Sequence, residues 1–215
     1  MLREVLSTEL YTILLVICLI IVAIAKFLFP KRFYDFLSLL VNFRYIKVYS
    51  REQKFFDLFE GLLFINLILG LSIFCLLCFN LNVNIVESNY LLPPKLAFGI
   101  GALLLIKILL ERLIGSILSI DTIIESYIFQ KVSYKNFIGL LLIAINAILI
   151  YSWQPTYFNT TLFVIILLII NSYGILLFIK NNLKKIKRNW FYFILYLCAL
   201  EISPYLVLYK LYTLQ

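Results

Sequence analysis

Six long blocks of apolar residues, separated by short polar segments, constrain this chain more than any other feature of its sequence. A transmembrane α-helix needs about 20 consecutive, mostly apolar residues to cross the roughly 30 Å hydrocarbon core of a bilayer. Inside lipid, the backbone of such a segment must form its hydrogen bonds within its own helix. The sequence therefore predicts an all-α, polytopic bundle of six transmembrane helices, in a single integral membrane domain over residues 1–215. The predicted spans are 10–29, 55–79, 95–118, 137–153, 161–178 and 190–208.

The net charge of +8 raises the alternative of a nucleic-acid-binding protein. Apolar residues make up 64% of the sequence and charged residues only 14%, whereas soluble domains carry about 25% charged residues. The Lys and Arg residues lie mostly in short loops, and no loop is long enough for a nucleic-acid-binding module. We therefore exclude nucleic acid as a partner. We expect the partners to be the lipid bilayer and, at the basic face, anionic lipid headgroups.

Basic residues are divided unequally between the two sides of the predicted bundle. The loops 31–54, 119–136 and 180–189 carry thirteen Lys and Arg residues, and the segments on the opposite side carry three. Cytoplasmic loops of membrane proteins are enriched in Lys and Arg. This asymmetry predicts a multi-pass membrane protein with the basic loops in the cytoplasm and both termini on the opposite side of the membrane.

Two of the basic loops are amphipathic. In residues 31–54, apolar residues such as Phe33, Phe36 and Leu40 recur at about helical spacing among Lys and Arg. This pattern favours a helix that lies in the membrane interface, with a plain connecting loop as the alternative. Residues 119–136 have the same mixed character and are predicted to form a second short amphipathic connector.

Glu201 lies inside the sixth apolar block, and a charged side chain at bilayer depth normally faces protein and has a partner. At about 1.5 Å per residue, Glu201 is roughly 16 Å from Trp190, where its span begins. Lys107 is roughly 18 Å from Lys95, where the third span begins at the opposite face. The two side chains therefore lie at similar depths, and Lys107 can also pair with Glu111 one turn further along its helix. The intramembrane group of Glu201, Lys107 and Glu111 either holds helices together or lines a proton, ion or substrate path.

Asp57 and Glu60 lie one turn apart at the start of the second span, and Lys26 and Arg112 lie near the same face. Paired carboxylates can perform acid–base chemistry or bind a cation. The alternative is a salt-bridge cluster that closes the cytoplasmic end of the bundle. This second interpretation brings all four side chains into one cluster.

The sequence contains no histidine, and its four cysteines lie inside apolar blocks. Histidine is the commonest general base and metal ligand, so its absence removes the usual chemistry of both kinds. Cys75 and Cys78 form a C-x-x-C pair, but redox activity needs exposed thiols of low pKa. No phosphate-binding glycine loop, zinc-protease motif or nucleophile elbow is present. We predict no catalytic residues, no cofactor and no metal site.

The sixth block carries the motif Tyr-Leu-Cys-x-x-Glu-x-x-Pro at residues 196–204, followed by Tyr and Lys. This motif, with the basic connector after the first span and the charges in the third, resembles an uncharacterised family of integral inner-membrane proteins from Bacteroidota. The resemblance extends over the whole chain. It implies a bacterial inner-membrane location and brings no activity, cofactor or catalytic residues.

These features leave three functions open. The leading one is an accessory or scaffold component without catalytic activity that acts through a membrane protein partner, because the loops are short and catalytic motifs are lacking. The alternative is a small transporter or proton-coupled membrane protein that uses Glu201 and Lys107. A membrane enzyme comes third, with Asp57, Glu60 and Glu111 as the carboxylates available for chemistry.

Overall fold

The computed structural model describes residues 8–40, 44–50, 57–82, 92–117, 121–153 and 155–188. Nearly all of these residues are helical, and none of them lies in a strand, which confirms the predicted all-α class. A 3-10 turn at Ser38–Leu40 follows α2, and a π-helical segment at Ile148–Ser152 extends α6. The α-helices are α1 (Thr8–Leu28), α2 (Pro30–Leu37), α3 (Arg44–Tyr49), α4 (Leu58–Asn82), α5 (Leu92–Ile117), α6 (Asp121–Ala147) and α7 (Tyr157–Arg188).

Helices α4 and α6 form the centre of the bundle and run in the same direction. Asn136 Nδ2 of α6 donates a hydrogen bond of 2.6 Å to the Glu60 carboxylate near the start of α4. Further along both helices, Asn146 Nδ2 donates to the Gly70 carbonyl at 2.9 Å. These bonds hold the two helices in register at both depths, in an apolar setting where an unpaired amide would be costly.

Two glycines let neighbouring helices approach α6 closely. A Cβ at Gly139 would lie 2.7 Å from the Cα of Leu67, so only glycine fits where α6 crosses α4. A Cβ at Gly174 would lie 2.7 Å from Cγ of Tyr134, where α7 crosses α6. Small residues at such crossings bring backbones together, which is the usual means of packing helices in a membrane.

Helices α1, α5 and α7 surround this pair and run in the opposite direction. Thr12, near the start of α1, shares a 2.7 Å hydrogen bond with Tyr151, in the extension of α6. Ser72 Oγ of α4 donates to the carbonyl of Pro93, at the start of α5, at 2.9 Å. As a consequence, one end of the bundle contains α2, α3, the end of α5, the start of α6 and the last turns of α7. We call it the α2–α3 end.

Four helices of the described part are long and apolar enough to cross a membrane. They correspond to the first, second, fourth and fifth predicted spans. The third predicted span falls in α5, which is not among the four, and the sixth lies outside the described residues. The structure therefore supports four of the six predicted spans. The four segments are Glu9–Leu28, Leu58–Cys78, Ile123–Ser152 and Tyr157–Asn181.

Helices α6 and α7 are longer than the predicted spans. Residues 121–136 of the predicted connector form the first half of α6, and the basic loop predicted after residue 180 continues α7 as far as Arg188. Residues 121–138 and 180–188 contain no Gly and no Pro. Charged residues do not end a helix as Gly and Pro do, because Lys, Arg and Glu have good helix propensity.

The described residues of the segment 31–54 pack against the end of the bundle as α2, the 3-10 turn and α3. Phe36 and Tyr45 are completely buried, and they pack with Phe59 of α4 and Phe129 of α6. The periodic apolar residues therefore form part of the core at this end. The predicted helical character is present, in two short helices rather than one.

Candidate functional site

A polar cluster at the α2–α3 end is centred on Glu60, in the first turn of α4. The Glu60 carboxylate is 14% exposed. Tyr45 Oη donates to Oε1 and Asn136 Nδ2 donates to Oε2, each at 2.6 Å, and Ser133 Oγ donates to Oε1 at 3.3 Å. Both carboxylate oxygens thus accept hydrogen bonds, which is the pattern of an ionised side chain held in place. We call Arg32, Tyr45, Asp57, Glu60, Ser133 and Asn136 the Glu60 cluster.

Arg32 of α2 supplies the positive charge of the Glu60 cluster. Its Nη1 lies 2.5 Å from Asp57 Oδ2, and its Nη2 lies 3.8 Å from Glu60 Oε1. The guanidinium also lies 4.8 Å from the ring centroids of Tyr49 and Phe59. A guanidinium suits this position because it is planar, stacks on aromatic rings and forms directed hydrogen bonds to carboxylates.

Asp57 has a second role, because it caps the N-terminus of α4. Its Oδ1 accepts a 3.2 Å hydrogen bond from the backbone N–H of Phe59, and its carbonyl accepts one of 2.9 Å from the N–H of Gly61. Asp is a preferred N-cap residue, and its negative charge is favourable at the positive end of the helix dipole. The start of α4 is therefore fixed by the same side chain that binds Arg32.

The electrostatics of Tyr45 and Arg32, which lie outside the membrane-spanning helices, agree with this geometry. Burial raises the pKa of the Tyr45 phenol, and the neighbouring Glu60 carboxylate raises it further, to well above its usual range. Burial lowers the pKa of Arg32, but Tyr45 and the Asp57 carboxylate outweigh burial, and the net shift is upward. Tyr45 is thus a neutral donor and Arg32 a permanent cation.

A second charged pair joins α5 to α6. Lys131 Nζ lies 2.5 Å from Glu111 Oε1, and the side chains are 6% and 1% exposed. The ammonium also lies 5.5 Å from the ring centroid of Tyr127. The other carboxylate oxygen, Glu111 Oε2, is buried and accepts no hydrogen bond from the residues that the structure describes. A buried pair of this kind is costly to break, since removing one charge leaves the other uncompensated.

The structure brings some of the predicted site residues together and separates others. Asp57 and Glu60 meet in the Glu60 cluster, whereas Arg112 binds Glu125 at 3.1 Å in a pair with both side chains about half exposed. Lys26 is exposed in the last turn of α1. Lys107 is partly buried on α5, one turn before Glu111. Glu201 lies outside the described residues, so its predicted pairing with Lys107 stays a prediction.

Sequence reasoning did not single out Arg32, Tyr45, Ser133 and Asn136. Arg32 is one of several basic residues in its connector and carries no distinguishing signal. Ser133 and Asn136 carry a weak one, because polar residues three apart share a helix face and here directly precede an apolar block. Asn136, on that face, contacts Glu60, which lies 76 residues earlier in the sequence. No local sequence pattern predicts a contact over such a separation.

The apolar helices and the charges paired inside the bundle define the chain as a helical membrane protein. It belongs to the family described as Domain of unknown function (DUF4271), whose model matches residues 11–212. The predicted resemblance to an uncharacterised family is thereby confirmed. No curated protein and no solved structure matches the chain.

Proposed function

We propose that this chain is an accessory or scaffold component of a bacterial inner membrane that acts through a membrane protein partner. The observation that carries the proposal is that the Glu60 carboxylate is already occupied by partners from within the chain. Three donors and Arg32 surround the Glu60 carboxylate, so the strongest candidate for chemistry in the described residues is engaged in holding α2, α3, α4 and α6 together.

The outward faces of α5 and α7 support contact with lipid or with a partner. Phe98 and Leu103 of α5 are 80% and 70% exposed, and Leu176 of α7 is 66% exposed. A shallow groove of about 370 Å³ runs along α7 past Leu168 and Ile169. Exposed apolar surface of this kind is unfavourable in water and marks a site that lipid or another protein covers.

Photo-crosslinking in native membranes tests the partner directly. Three outward faces are sampled, each in a separate variant, by a photoreactive residue at Leu103, at Leu176 or at Ile13 of α1. We expect one face to give a crosslink to a single protein at reproducible stoichiometry, with the other two faces serving as controls. Crosslinks to lipid alone at all three positions would contradict the accessory role.

The α2–α3 end supports the proposed orientation and the proposed contact with anionic lipid. Lys31, Tyr34, Lys47 and Val48 are exposed, while the opposite faces of α2 and α3 are buried. Exposed cationic and apolar side chains on one surface suit the interface, where Lys meets phosphate and the apolar groups meet the acyl boundary. This end is the proposed cytoplasmic end, with the chain termini on the periplasmic side.

Lipid binding is measurable with a matched control. In nanodiscs of mixed zwitterionic and anionic lipid, the double variant Lys31→Gln, Lys47→Gln is expected to retain less anionic lipid than the parent. Lys95, exposed at the opposite end of the bundle, provides the control variant Lys95→Gln. Equal losses in the two variants would contradict a specific role for the α2–α3 end.

A small transporter or proton-coupled protein is the second candidate, favoured by the placement of Glu111 and Lys131 deep between α5 and α6. In this alternative, Glu201 and Lys107 belong to the path. Glu201→Gln separates the two functions. A lower melting temperature with no change in ion or proton flux in liposomes supports a packing role, and unchanged melting with lost flux supports transport.

A further inference from the structure

A small, partly open cavity lies between α6 and α7, close to the Glu111–Lys131 pair. Its volume is about 10 Å³, and Tyr127, Gln130, Lys131, Tyr134 and Gly174 are among its lining residues. A volume of about 10–15 Å³ on this scale holds one water molecule and nothing larger. Lipid, substrate and hydrated ions are too large for it.

Two of the residues that line this cavity each carry a buried polar atom with no hydrogen-bond partner among the described residues. Gln130 Nε2 donates a 2.8 Å hydrogen bond to the Gly174 carbonyl, whereas Gln130 Oε1 is buried and has no partner within the described part of the chain. The same holds for Tyr134 Oη. Gln130 and Tyr134 are each only 1% exposed. Since they are four residues apart on α6, both side chains project from the same face of the helix.

We propose that a single water molecule binds in this cavity and bridges Gln130 Oε1 and Tyr134 Oη. The water donates one hydrogen bond to the amide oxygen and forms a second with the phenol. Buried water molecules typically form about three hydrogen bonds to polar groups that lack other partners. The site depends on Gly174, because a side chain there would press on Tyr134 and force α7 away from α6.

The proposal predicts the sign of a conservative substitution. Tyr134→Phe removes one oxygen and keeps the ring. If the water is bound, the variant loses a hydrogen bond, and we expect the melting temperature of the full chain in detergent to fall by about 2–4 °C. If the cavity is dry, the variant removes an unpaired buried hydroxyl, and the melting temperature stays the same or rises.

Tyr173→Phe is the matched control, because Tyr173 packs edge-on against Tyr134 from α7 and is 44% exposed. Removing the hydroxyl of Tyr173 should leave the melting temperature unchanged. A fall for Tyr134→Phe alone supports the water site, and an unchanged or raised value overturns it. A structure at a resolution that shows ordered water gives the independent readout. Density within hydrogen-bond distance of both atoms supports the proposal, and an empty cavity in such a map overturns it.

Discussion

Tyr45 Oη lies 2.6 Å from Glu60 Oε1, and this hydrogen bond joins α3 to the first turn of α4 across 15 residues of chain. A hydrogen bond to a charged acceptor contributes roughly 1.5–3 kcal/mol when it is shielded from water. Tyr45→Phe should therefore lower the free energy of unfolding by about that amount, measured by reversible unfolding in mixed micelles. Tyr34→Phe is the control, since Tyr34 is 77% exposed on the outer face of α2. An equal effect of the two substitutions would show that Tyr45 contributes no specific bond.

The raised pKa of Tyr45 also predicts a pH dependence. The phenol has a pKa of about 10 in the unfolded chain and a higher one in the fold. Its contribution to stability is complete below pH ~10 and declines as the pH rises towards the folded-state value, because only the unfolded chain loses the proton.

The stability difference between the parent and Tyr45→Phe should thus shrink by about 1.4 kcal/mol between pH 8 and pH 11. The rest of the chain is identical in the two proteins, so its contribution cancels in the comparison. Unfolding of both proteins at the two pH values measures the effect. A difference that stays constant or grows would mean that Tyr45 ionises normally in the fold.

The helical fold could be predicted because apolar blocks of this length have few alternatives in a membrane. Helix ends were harder to predict. Charge marked the predicted ends of the fourth and fifth spans, yet α6 and α7 continue through Lys131 and Lys180. In both helices the backbone stays helical past these charged side chains, so charge does not locate the helix terminus.

The Glu60 cluster could be predicted only in part. Asp57 and Glu60 were visible because two carboxylates one turn apart at the start of an apolar block are unusual. Their partners Arg32 and Asn136 come from other helices, and helix packing, which a single sequence does not encode locally, sets those contacts. The same holds for Lys131, which lies 20 residues from Glu111 and pairs with it through the reversal between α5 and α6.

The Glu111–Lys131 pair should behave as a buried ion pair. Lys131→Met alone leaves the Glu111 carboxylate uncompensated and is expected to cost about 3–5 kcal/mol of unfolding free energy. Adding Glu111→Gln removes the isolated charge, so the double variant should recover much of that loss. The half-exposed Arg112–Glu125 pair is the control, and breaking it with Arg112→Met should cost less than about 1 kcal/mol. Strictly additive effects of Lys131→Met and Glu111→Gln would contradict the pairing.

Gly139→Ala tests the crossing of α6 with α4. The added Cβ would lie 2.7 Å from Leu67 Cα, and this contact involves backbone, so it can be relieved only by separating the two helices. Separation would also strain the hydrogen bond between Asn136 and Glu60 on one side of the crossing. We expect a loss of about 1–3 kcal/mol, the usual cost of overpacking, in spite of the better helix propensity of alanine. Gly61→Ala is the control, because nothing lies within 4 Å of a Cβ there, and it should be neutral or stabilising by up to about 1 kcal/mol. The same melting temperature for both variants would show that α4 and α6 do not pack at this distance.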